Sequence, residues 1–295
     1  MPESTSDESA AVGSGSESVA SIAVGLPVYN GEKFIAQALD SLLGQTTADI
    51  SIIVSDNAST DRTGLIVSGY ALRDPRITYI RQERNIGAQN NFKFVFRAAK
   101  SEYFMWAAAD DVRSAEFIER NLAFLRTHPD FVGSTFRTRF EGGAFDPAKM
   151  GDETLEQDDF AERLIAFFTV WHANGRFYSL FRRRLLTEWV NTEWSFLAFD
   201  WCLITNLAAR GKLNRIDEGL VELGRHGESR STDVFAPYRT SLLLWFMPLH
   251  GLTVDTWRLM ALASRGQRVR IAWRLLKLNV LAFLLQHKLM LTRRS

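Results

Sequence analysis

The stretch IAVGLPVYNGEKFIAQALDSLLGQT, residues 22–46, decides the fold, because an apolar run gives way at a polar turn to a helical pattern. Ser21 to Val28 reads as a buried strand closed by the Asn30-Gly31 turn. Phe34, Ile35, Ala38, Leu39, Leu42 and Leu43 then recur at three- and four-residue steps, which gives a helix one apolar face to lay on a sheet. The same alternation repeats. Ile50 to Ser55, Ile77 to Ile80 and Glu102 to Ala107 read as strands, and Asp61 to Leu72 and Phe92 to Ala99 as helices. Strands and helices alternating at this spacing predict an α/β fold with a mainly parallel sheet covered on both faces.

In such sheets ligands sit beyond the carboxyl ends of the strands. Polar clusters stand at those ends: Tyr29-Asn30, Asp56-Asn57, Asn85 to Asn91 and Asp110-Asp111. Four consecutive strand ends aim acids, amides and one aromatic ring at one rim, which marks a single binding site. Farther on, Phe131 to Phe140 reads as a strand, 141–158 as a polar loop, and Phe199 to Gly211 as a helix ending at glycine. Two short strands follow near Leu213 to Ile216 and Gly219 to Leu223.

The blocks PVYNGEKFIAQALDSLLGQT, SDNASTDRT, NIGAQNNF and AADD, in this order, resemble the donor-site blocks of family 2 glycosyltransferases, and the resemblance spans about residues 20–230. It implies a GT-A fold, a nucleotide-sugar donor with UDP-sugar as the default, a divalent cation (Mn2+ or Mg2+), and inversion at the anomeric carbon. Physical chemistry offers matching roles. Tyr29 suits offset stacking on a pyrimidine, and Asp56 suits a hydrogen bond from the imide N–H of uracil. The resemblance places Pro27 and Asn30 beside the same pocket. Asn85 and Gly87 shape the third loop, and Asn90 stands where many relatives carry an arginine.

Asp110 and Asp111 are the candidate metal acids, since hard cations prefer oxygen ligands and bridge carboxylates to phosphates. Many relatives read D-x-D-D across this turn, whereas the first position here is Ala108. The family's acidic pair for the general base falls at Phe199-Asp200, which leaves Asp200. Arg225-His226 resembles a basic, histidine-bearing segment that closes over the diphosphate or metal, so His226 joins the metal candidates. Plainer readings stay open: a core tyrosine, an Asp-Asn turn, a structural histidine, helix-capping carboxylates at Asp61, Asp110, Asp111 and Asp200, and core packing for Trp106 and Trp201.

Composition fits an enzyme of this kind. With 46% hydrophobic and 23% charged residues and a net charge of +1, nothing suggests a nucleic-acid partner. Cys202 is the single cysteine, which excludes an intrachain disulfide. Residues 1–19 are rich in Ser, Gly and acid and are expected to form a disordered leader, with no export signal. The catalytic domain is expected over 20–236, with a nucleotide-sugar half (20–140) and an acceptor half (141–236).

Residues 237–295 are expected to form a helical basic appendage, since from Arg258 onward nine Lys or Arg and no Asp or Glu occur. Its apolar runs are shorter than a membrane span needs. Arg270, Arg274, Lys277 and Lys288 share one helical face, which fits either an amphipathic helix on a membrane surface or one packed against protein, including an oligomer partner. The expected setting is cytoplasmic, peripheral at the inner face of a membrane, with a glycan or lipid-linked acceptor. Two rivals stand beside this reading. A sugar nucleotidyltransferase is disfavoured because PVYNGEK lacks a Gly-rich basic loop; a degenerate binding or scaffold protein is motivated by Ala108, Asn90 and Phe199.

Overall fold

The computed structural model describes residues 21–192, 196–225 and 234–292. β1 (Ile22–Val28), α1 (Ile35–Leu43), β2 (Ile50–Asp56), α2 (Thr63–Ala71), β3 (Ile77–Arg81), α3 (Ala88–Ala98) and β4 (Tyr103–Trp106) alternate as the sequence predicts. Then come β5 (Val112–Arg113), α4 (Phe117–Thr127), β6 (Phe131–Phe140), α5 (Pro147–Met150), α6 (Phe160–Phe167), β7 (Leu180–Arg182) and α7 (Thr187–Asn191). The chain ends with α8 (Phe199–Arg210), β8 (Lys212–Leu223), α9 (Leu242–Phe246), α10 (His250–Leu259) and α11 (Arg265–Thr292).

One sheet of eight strands runs in the order β3-β2-β1-β4-β7-β6-β8-β5. The β3-β2-β1-β4 half is parallel throughout. The other half is mixed, with β7 antiparallel to both neighbours and β6 parallel to β8. The two short strands expected near residues 213–223 form one strand, bent where its register against β6 slips beside Gly219. Gly219 has φ 99°, and a Cβ there would overlap the Phe136 ring. The expected polar loop over 141–158 contains α5, and Leu155 forms an isolated bridge with Leu213.

β1 is buried along its whole length, as expected of a central parallel strand covered on both faces. Its side chains alternate. Ile22, Val24, Leu26 and Val28 face α1 and α4 residues such as Leu39, Leu42, Phe117 and Leu125. Ala23 faces the opposite core, built on Val95, Phe104, Trp106 and Trp189. That second core also takes in Ile271, Leu275, Leu278 and Ala282 of α11, so this part of the segment 237–295 packs against the sheet domain.

α3 starts four residues earlier than the periodicity predicts. Gly87 at φ 82° turns the chain, and Asn90 Nδ2 donates to the Ile86 carbonyl at 2.9 Å, so a polar first turn is helical despite its composition. α3 lies close on β1: a Cβ at Gly25 would sit 2.6 Å from Val95 Cγ2 and 2.7 Å from Phe104 Cζ. Gly25→Ala is therefore expected to cost about 1–3 kcal/mol by overpacking. Gly69→Ala, inside α2 with open space around it, is expected to be neutral or to stabilise by up to about 1 kcal/mol. Denaturant melts of the two variants test both.

Candidate active site at the strand ends

Because β1, β2 and β3 are parallel, their following turns reach one rim, where side chains stitch them together. Asn30, at φ 51°, accepts the Thr60 N–H at 2.8 Å, and its own N–H donates to Ser59 Oγ at 2.9 Å. Gly31 N–H donates to Thr63 Oγ1 at 2.8 Å. Asp61 accepts the N–H of Glu32 at 3.1 Å and of Thr63 at 3.0 Å, so it ties the first loop to the start of α2. Asn57 reaches the third loop, donating to Asn85 Oδ1 at 3.0 Å and accepting Ile86 N–H at 2.8 Å; Asn85 Oδ1 also takes the Gly87 N–H at 2.8 Å.

Tyr29 projects from this rim with half its surface exposed. Asp56 does not: it is fully buried, and its carboxylate accepts the Ser59 N–H at 2.8 Å, the Tyr79 hydroxyl at 2.9 Å and Arg81 Nη1 at 2.7 Å. The sequence reading put Asp56 on the nucleobase. Here its lone pairs serve the loop, so its work in this structure is positional. Pro27 is likewise inside β1 and buried rather than lining a pocket. β4 has ended opposite Gly25, so the N–H that proline lacks is not needed on that side.

The turn after β4 separates the two adjacent acids. Asp111 is buried; its carboxylate accepts the Gly224 N–H at 3.1 Å and the Ala108 N–H at 3.4 Å, and lies 3.6 Å from Arg113 Nη2. Burial pushes its pKa up to about 6 against the pull of Arg113. That inward position does not suit the metal-ligand role expected from the sequence. Asp110 is partly exposed and packs against the backbone of Gly224, where a Cβ would come within 2.2 Å of its carboxyl. Among the described residues no group of three or more His, Cys, Asp or Glu side chains gathers to hold an ion. A cation held by one carboxylate, waters and substrate phosphates is still an ordinary arrangement, and Asp110 fits it. His226 lies outside the described residues.

Asp200 sits in the first turn of α8, where an acid favours the helix dipole. Its Oδ2 accepts Asn174 Nδ2 at 2.9 Å. Burial raises its pKa, while the Asn174 amide and nearby backbone N–H groups lower it, with burial prevailing. Asn174 is itself held at φ 54°, its N–H donating to His172 Nδ1 at 3.0 Å. Tyr178 joins the two acidic regions. Burial, then the charges of Asp111, Asp110 and Asp200, push its hydroxyl well above the ordinary range, and Arg113 offsets part of this. The charges of all three candidate acids thus act on this one hydroxyl.

Glycosyl transferase family 2 matches residues 23–189. The chain belongs to this family. An uncharacterized protein of Mycobacterium tuberculosis is 26% identical over 249 residues, which is 83% of this chain and 69% of that protein. Among solved structures, S. aureus TarS 1–349 in complex with UDP-GlcNAc superposes with a TM-score of 0.66 at 19% identity, over 86% of this chain and 71% of that one. The mannosyltransferase PcManGT from Pyrobaculum calidifontis, in complex with GDP-Man and Mn2+, gives 0.54 at 17% identity, over 86% and 73%. A second TarS 1–349 structure is spanned to only 59% of its length. These likenesses establish the GT-A glycosyltransferase fold.

Within this family 2 fold, Tyr29, Asn30 and Asp110 lie in the turns that follow β1 and β4, Asp200 opens α8 against Asn174, Asn85 and Gly87 frame the third loop, and Asn90 is an exposed residue of α3. Trp106 and Trp201 are core residues, Trp106 stacked on Phe177 and Trp201 on His172. Asn174, Tyr178 and Arg113 were not read from the sequence as site residues. Asp56→Ala is expected to lower stability by about 2–4 kcal/mol, because the Ser59 N–H and the Tyr79 hydroxyl lose their acceptor. Tyr29→Ala, on the exposed side of the same loop, is expected to stay within about 0.5 kcal/mol of the parent. Thermal or urea unfolding measures the difference.

Proposed function

We propose that the chain is an inverting glycosyltransferase that moves one sugar from a nucleoside-diphosphate sugar to a hydroxyl acceptor on a glycan or lipid-linked molecule. The observation that carries this reading is the rim at the carboxyl ends of the parallel strands, where Asn30, Asn57 and Asn85 tie the loops together beside the exposed Tyr29 and where α/β folds bind ligands. Tyr29 lies against the base, while Asp56 and Asn57 hold the loops that present it. UDP is the preferred nucleotide, supported by the pyrimidine-sized stacking surface of Tyr29 and by the UDP-GlcNAc complex of the TarS neighbour. Asp110 would hold Mn2+ or Mg2+, with Asp111 buttressing the turn from behind. The ion, when bound, supplies positive charge against the diphosphate.

Asp200 acts as the base. It takes the proton of the attacking hydroxyl as the acceptor oxygen bonds to the anomeric carbon and the bond to the diphosphate breaks on the opposite face. Partial burial raises the basicity of this carboxylate, and the Asn174 amide aims it. The departures at Ala108 and Phe199 leave one carboxylate for each task rather than a pair, and Asn90 leaves the diphosphate without the arginine that many relatives carry there.

Thermal shift separates the donor classes, since a ligand of the folded state raises Tm by mass action. UDP with Mn2+ is expected to raise Tm, chelator to reduce the rise, and Asp110→Asn to abolish the metal dependence. No shift with UDP, GDP, dTDP or CDP would favour the degenerate binding protein instead. Asp200→Asn is expected to abolish transfer and donor hydrolysis while leaving the UDP shift intact; undiminished turnover would remove Asp200 from the role of base. Activity needs the Asp200 carboxylate, so the rate falls as pH drops through its raised pKa. Asn174→Gly tolerates the positive φ but removes the amide hydrogen bond, so it is expected to move this acid limb of kcat to higher pH. An unmoved limb would assign Asn174 a purely structural part.

A further inference from the structure

α11 is apolar on two sides. Ile271, Leu275, Leu278 and Ala282 are buried in the core, whereas Val269, Trp273, Leu276, Val280, Leu284 and Leu291 are exposed, Trp273 by 56%. At 100° per residue this exposed set forms a continuous stripe along the helix. Between the buried and exposed stripes runs a third, carrying Arg270, Arg274, Lys277 and Lys288. Phe246 of α9, itself exposed, stacks on Phe283 of α11 with ring centroids 5.7 Å apart and extends the bare apolar surface. No helix among the described residues is long and apolar enough to cross a membrane.

A groove of about 530 Å³ opens where the basic stripe of α11 meets residues 168–171. Val170, Trp171, Trp273 and Leu281 give it apolar walls, and Arg270, Arg274 and Lys277 supply charge. The acids facing it are few. Glu162 pairs with Arg270 at 2.7 Å, and Asp159 and Glu162 are both held by Gln267. Arg274 donates to the Thr169 hydroxyl at 2.8 Å, and Lys277 Nζ lies 5.3 Å from the Trp273 ring centroid. Among the described residues no carboxylate pairs with Arg274 or Lys277. The Trp171 ring on the groove wall lies 5.8 Å from that of Trp201, the residue after Asp200.

We propose that this face docks on an anionic phospholipid bilayer, with the exposed apolar stripe at the acyl boundary and Arg274 and Lys277 among the lipid phosphates. Aromatic and aliphatic side chains flanked by cations, on a helix lying in the membrane plane, are the features such docking uses. A second copy of the chain is a poorer occupant. A two-fold interface sets each patch against itself, which brings the two basic stripes together. On the transferase reading given above, docking would hold the Asp200 flank beside lipid-anchored hydroxyl acceptors.

Flotation of the full chain, without donor, with vesicles of phosphatidylcholine alone and with about one-third phosphatidylglycerol tests the proposal. Binding is expected on the anionic vesicles and to weaken with salt. Each cation near such a surface contributes about a factor of five, so Arg274→Gln with Lys277→Gln is expected to bind about 30-fold more weakly. Trp273→Ser with Leu284→Ser is expected to lose binding with Tm unchanged, since both side chains are exposed. Equal binding to neutral vesicles, no binding, or a stable dimer by light scattering that Leu276→Ser dissociates would each overturn it. Because the assay contains no nucleotide, failure of the sugar-transfer reading would leave this result standing, and failure of docking would leave the donor thermal shifts untouched.

Discussion

The rim of this molecule depends on a carboxylate with no exposed surface. A buried ionised group is costly unless its lone pairs are filled, and Asp56 fills them with the Ser59 N–H, the Tyr79 hydroxyl and Arg81. Those donors belong to the turn after β2 and to β3, while the Asp56 carbonyl accepts the Gln82 N–H at 2.8 Å. The next residue, Asn57, donates its N–H to Val28 at the end of β1 at 2.8 Å. Two neighbouring residues thus fix three strand ends, and the exposed ring of Tyr29 stands on a turn already ordered before any ligand arrives. Such preorganisation lowers the entropy that binding must overcome.

Behind the acidic turn lies a second buried charge. Arg113 donates to the Trp106 carbonyl at 3.2 Å and faces Asp111, yet among the described residues its Nε and Nη1 have no hydrogen-bond partner. Burial pushes the guanidinium below its ordinary range, and Asp111 pulls it back up. Buried pairs of this sort contribute little net stability but are costly to break singly. Their effect here is to hold the turn so that one acid points inward and its neighbour toward the rim.

The alternating strands and helices through β4 were legible because central parallel strands leave apolar runs that polar turns punctuate. The acids at the strand ends were legible as a cluster, but their division of labour was not. Adjacent residues in a turn look alike in sequence, and what separates Asp111 from Asp110 includes the N–H of Gly224, contributed from far along the chain, with the buried Arg113 beside it. Asn174 escaped for a related reason. It is a lone amide in an aromatic stretch, and its partner Asp200 is 26 residues away. The first turn of α3 was hidden by its polar composition. The sequence left open whether α11 lies on a membrane surface or on protein, because periodicity counts apolar residues without saying which of two stripes meets the protein.

That two-sidedness of α11 bears on how the protein can be shortened. The helix closes the second core with one stripe while presenting another outward, so the two properties share a single stretch of backbone. Cutting the helix away would strip α6 and the side of the second core around it of their cover as well as removing the outer surface. A variant without that surface must therefore be sought by exchanging outward side chains one at a time, and natural relatives that discard it face the same restriction.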